Sequence, residues 1–108
     1  MATSLEAPSP GEQAFTAEDL YLAERRVAEA RERAAYAGLS AARSIEESAR
    51  QHERVAKVQD VTVEQGVSHS DVHRESATRH RQAAADDRKM AEQLRKECEA
   101  DLTVGTDR

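Results

Sequence analysis

The stretch Val61-Thr62-Val63-Glu64-Gln65-Gly66-Val67 decides the fold, because it changes character in a chain that otherwise reads as helix. Valine and threonine are β-branched and stiff at χ1, which lowers their helix propensity. Gly66 offers a positive φ at no steric cost. We therefore expect a connection over 61–67, with one long helix before it (16–60) and another after it (68–102). Two helices joined by so short a link run antiparallel. The expected fold class is all-α: an elongated helical hairpin or coiled coil.

Both flanks support this. Upstream, Thr16-Ala17-Glu18-Asp19 approximates a capping box, with Asp19 in place of the usual glutamate. Phe15 is placed to staple against Leu20. Downstream, Ser68-His69-Ser70-Asp71 has the same spacing and marks the second start. Both prolines, Pro8 and Pro10, lie before the first helix, so none interrupts either rod. Residues 1–15 read as a disordered tail and 103–108 as a frayed end.

The seam of the first helix steps through Leu20, Ala23, Val27, Ala30, Ala34, Ala37 and Ala41, a heptad of small residues. Continuing by fours gives Ile45 and Ala49, with His52 and Ala56 beyond, which resembles a stutter. On the second helix Met90, Ala91, Leu94, Cys98 and Leu102 make an apolar face. A hairpin turning near Glu64 sets Leu94 and Cys98 against Ala34 and Ala30, and Leu102 against Val27. Residues 16–25 then overhang by two to three turns. Pairs such as Glu29–Arg33, Glu46–Arg50, Glu53–Lys57 and Glu92–Lys96 suit i,i+4 contacts on the exposed faces.

Composition narrows the function. Of 108 residues 34% are charged and 38% hydrophobic, yet 20 are alanine, which buries little area. The chain lacks the large apolar side chains for a globular core, so it should complete its seam with another chain. The overhang carries its most apolar cluster, and Phe15, Leu20, Tyr21, Leu22 and Val27 are the candidate partner-binding residues. The partner is expected to be a second copy or another helical protein.

A net charge of −5 disfavours duplex nucleic acid, whose binding depends on neutralising phosphates. The basic strip His73 to Arg81 has no interleaved aromatics and reads as a solvated face. No stretch approaches a spanning helix, so no membrane partner is expected. With no apolar leader segment and a single cysteine, Cys98, a cytoplasmic location is expected. Cys98 itself reads as a small buried hydrophobe.

No phosphate loop, nucleophile elbow or other catalytic constellation occurs, so neither enzyme activity nor a cofactor is expected. The expected function is a helical interaction module: an adaptor, scaffold or small regulator that associates with itself. The alternative rests on His52, His69, His73 and His80. If the hairpin brought them together, neutral imidazoles could bind zinc, or could charge together in mild acid as a pH sensor.

Overall fold

A computed structural model describes residues 14–66 and 68–106. Two helices account for nearly all of them: α1, Ala17–Glu64, and α2, Ser70–Thr106. They pack on each other as an antiparallel hairpin. The 48 residues of α1 at a rise of ~1.5 Å make a rod about 72 Å long. The radius of gyration is 26.5 Å, about twice the ~13 Å of a compact chain this size. Of the expected tail at 1–15, residues 1–13 lie outside the described residues, and Ala14 and Phe15 precede the helix.

The start of α1 follows its sequence signal. The Thr16 hydroxyl accepts from the Asp19 amide and the Asp19 carboxylate accepts from the Thr16 amide, each at 3.0 Å. Those hydrogen bonds hold the Asp19 carboxyl below its ordinary range. The other helix ends differ from expectation. Val61, Thr62 and Val63 stay helical, because three β-branched-rich residues cost less than breaking the packed rod. The chain leaves α1 only at Gly66, whose φ of 71° is the left-handed geometry that ends helices. The Gly66 amide donates to the Val63 carbonyl at 3.0 Å. The expected 61–67 connection thus contracts to 65–69. The second helix extends through 103–106, which were expected to fray.

The core is a row of alanines at heptad spacing. Ala35, Ala42, Ala49 and Ala56 of α1 are buried, as are Ala77, Ala84, Ala91 and Cys98 of α2. No polar or charged residue is buried among the described residues. The half-buried positions between them complete a strict 3-4 pattern: Gly38, Ile45, His52, Gln59 and Val63 on α1, and His73, His80, Asp87 and Leu94 on α2. Alanine on both sides lets the two backbones approach closely. At Gly38 the space is already taken: a β-carbon there would sit 2.2 Å from the Cys98 Sγ.

This corrects the expected register. Ala34, Ala37 and Ala41 are exposed, and the seam runs one residue later, with no stutter. From Ile45 onward only the register of Ala49, His52 and Ala56 offers a face. Its backward continuation is Ala42, Gly38 and Ala35, equally small. Cys98 meets Gly38, not Ala30, so α2 stops farther from the start of α1 than expected. Leu102 consequently lies beyond reach of Val27, which is 59% exposed.

Among the described residues three arginine–carboxylate pairs bridge the helices along one side: Glu46–Arg95, Glu53–Arg88 and Asp60–Arg81. Positions climb by seven on α1 while they fall by seven on α2, the signature of an antiparallel heptad pairing. Glu46 and Glu53 therefore reach across to α2 instead of to Arg50 and Lys57 on their own helix. Arg50 bonds to Glu47, and Glu29 to Arg25; Glu92–Lys96 forms as expected, at 3.1 Å. The ladder tolerates a slip of one heptad, so it favours a phase but does not by itself choose the register. Its side chains are about half exposed, so each pair contributes at most ~1 kcal/mol. Arg88→Glu, which sets like charges against Glu53, should lower stability by about 1 kcal/mol. Adding Glu53→Arg should recover most of the loss, as read from urea unfolding of the two variants.

Candidate partner surface and histidine layer

Two features of the hairpin carry chemistry: a bare stretch of α1 and a polar layer in the seam. The bare stretch follows from helix length. With Gly38 opposite Cys98, the eight further residues of α2 bring its end near the level of Ala30, and every residue from 14 to 34 is exposed. The overhang, 17–29, is therefore about three and a half turns, somewhat longer than the two to three expected. Each candidate partner-binding residue lies on it or, for Phe15, just before it. Phe15 is 88% exposed, and Leu20, Tyr21, Leu22 and Val27 are likewise exposed. Phe15 and Leu20 flank one shallow concavity with Ala17 and Ala23. Leu20, Ala23, Val27, Ala30 and Ala34 keep the 3-4 spacing read from sequence. That strip is real as a helix face, but it is rotated about 100° from the buried seam, a one-residue offset. α1 thus carries two seams, one filled by α2 and one open.

The polar layer lies in the half of the seam nearer the connection. His52 and His80 meet across it, Nδ1 to Nδ1 at 2.8 Å, with ring centroids 5.1 Å apart. One ring must present N–H there and the other a lone pair. The opposite nitrogen of His52, Nε2, lies 3.9 Å from Asp87 Oδ2. That oxygen is buried and has no hydrogen-bond partner. One heptad nearer the turn, the Gln59 amide donates to the Ser76 hydroxyl at 2.6 Å. The Gln59 Oε1 is also buried without a partner. Toward the far end the seam turns apolar, with Ile45, Gly38, Leu94 and Cys98.

The four histidines do not converge. His69 sits in the connection with a φ of 69°, outside α2, and its carbonyl accepts the first amide bond from His73. It is exposed, and His73 lies one heptad before His80. Among the described residues no group of three or more His, Cys, Asp and Glu side chains is placed to hold a metal ion. The Nδ1 atoms of His52 and His80 are occupied with each other. Cys98 is buried against Gly38. Arg74 and Arg79 of the basic strip pair with Asp71 and Glu75 on their own helix, and Arg81 joins the ladder.

Sequence reasoning found the apolar overhang but missed Asp87 and the His52–His80 contact as a unit. Their signal was present: a polar residue recurs at alternate seam positions on both helices, visible once the register is fixed.

The geometry defines a class, the antiparallel helical hairpin with an alanine heptad core. No protein-family description matches the chain, and neither a curated protein nor a solved structure matches it. Among the described residues no helix is long and apolar enough to cross a membrane.

Proposed function

We propose that the protein is a non-enzymatic helical interaction module, an adaptor, scaffold or small regulator, that associates with a second copy of itself through the α1 overhang. One observation carries this reading: the chain's largest apolar cluster lies on residues 14–34, all of them exposed. An isolated helix of that length, with no tertiary face to lean on, is marginal in water. A packed partner would supply what α2 supplies farther along. The paired half of the hairpin acts as a stiff spacer, and the strip Leu20, Ala23, Val27, Ala30 and Ala34 as the contact face. Its small residues permit the same close approach that the buried seam shows.

Sedimentation equilibrium at micromolar concentration tests the proposal. The wild-type chain should sediment as a dimer or higher species. Leu20→Asp combined with Val27→Asp should sediment as a monomer, with the hairpin's melting transition retained, because both residues lie outside the alanine core. A wild-type chain that remains an ideal monomer overturns self-association.

A further inference from the structure

We propose that the His52–His80 pair is an acid-sensitive clasp, holding the hairpin closed near neutral pH and opening it once both rings are protonated. The inference goes beyond the overhang reading and rests on different residues. Its basis is the 2.8 Å contact between the two Nδ1 atoms. A hydrogen bond between them needs one N–H and one lone pair, a condition met by two neutral rings or by one neutral and one charged ring. When both rings are charged, both Nδ1 atoms carry hydrogen. The bond is then lost and two cations face each other at contact distance.

The surroundings accommodate the first proton and not the second. Asp87 Oδ2 lies 3.9 Å from His52 Nε2 and lacks a hydrogen-bond partner, so a single charge on His52 meets a carboxylate. The other acids of the neighbouring layers, Glu53 and Asp60 on α1, are already bound to Arg88 and Arg81 of α2. His73, the remaining titratable group on that face of α2, adds positive charge in acid. Among the described residues no further carboxylate is paired with His80 to balance a second imidazolium.

The sign follows from counting protons. The closed pair takes up one, whereas the two histidines of the open chain take up two. Wherever the open form binds more protons, stability falls as pH falls. Histidines in general protonate around pH 6.5, which puts the change in mildly acidic buffer, above the range where paired carboxylates protonate. Alanine layers contribute little each, so the loss of one polar layer is a large part of what holds this half of the seam. Opening would also bare the alanine seam of both helices.

The test is thermal unfolding of the full chain, followed by helix content at pH 7.5 and pH 5.0, for wild type, His52→Gln and His80→Gln. The wild-type Tm should fall by roughly 5–10 °C at pH 5.0, the shift expected for loss of one such interaction in a domain of this size. Each glutamine variant should show less than half of that fall, since it has no second ring to charge. His69 and His73 remain in both variants and control for general acid effects. A wild-type Tm indifferent to pH, or equal falls in all three chains, overturns the proposal. Should a variant fail to fold, the wild-type chain labelled with ¹⁵N-histidine decides. A scalar coupling between the two Nδ1 atoms should be present at pH 7.5 and lost at pH 5.0. Its absence at pH 7.5, or its persistence at pH 5.0, overturns the clasp.

Discussion

Ala42→Leu should cost the hairpin about 1–3 kcal/mol, while Ala41→Leu, one residue away, should change its stability by no more than about 0.5 kcal/mol. Ala42 is 1% exposed and lies in the seam between the flanking layers of Ala35 and Ala49. Between the Gly38–Cys98 and His52–His80 contacts the seam of α2 offers Ala84, Asp87, Ala91 and Leu94, and Ala42 packs against that stretch with its methyl buried. A leucine there has nowhere to go without separating the helices over adjacent layers. That separation also strips contacts from Ala91 and Cys98, so the cost spreads beyond one side chain. Ala41 is exposed and on the other seam. Thermal melting of both variants reads the difference directly; 1–3 kcal/mol corresponds to a fall of very roughly 5–20 °C in Tm for a domain of this size. Two variants with equal melting points would mean that the seam lies elsewhere.

The second large effect is a change of sign. Gly38→Ala ordinarily adds about 1 kcal/mol to a helix, because glycine is the costlier residue in a helix interior. Here the new methyl would stand 2.2 Å from the Cys98 Sγ. Relief requires the sulfur to leave its rotamer or the helices to part; Leu94 Cδ1, at 3.7 Å, would stand in ordinary contact with the new methyl. In the native background Gly38→Ala should therefore destabilise. In the background of Cys98→Ala the clash is gone, and the heptad series Ala77, Ala84, Ala91 gains a fourth alanine. There the same substitution should stabilise. A double-mutant cycle by urea unfolding should give a coupling energy of about 1–3 kcal/mol between the two sites. Additive effects would show that the helices do not approach closely at this level.

Both expectations concern small residues, and that is why the fold was legible and its register was not. Helicity was written plainly: no proline after Pro10, alanine and long charged side chains throughout, and Thr16 and Asp19 placed to cap. Gly66 marked the reversal, and it is where the chain turns. The exposed cluster Leu20, Tyr21, Leu22 and Val27 was also readable, because large apolar residues stand out in an alanine-rich rod.

Ala34 and Ala35, or Ala41 and Ala42, carry identical side chains one residue apart, so α1 contains two faces of nearly equal apolar character. A hydrophobic pattern cannot choose between faces built of the same methyl group. The choice was made jointly by both helices. Cys98 needed the one position without a β-carbon, Gly38; Arg81, Arg88 and Arg95 needed acids in phase; and the chain had to reverse within five residues. The same choice set the length of the overhang and brought His52 to His80, with Asp87 beside them. The sequence alone thus determined that two rods form and fold back on each other. Only the tertiary structure decided which face is closed, which remains open and which histidines touch, because these are properties of a pairing between helices and of neither helix by itself.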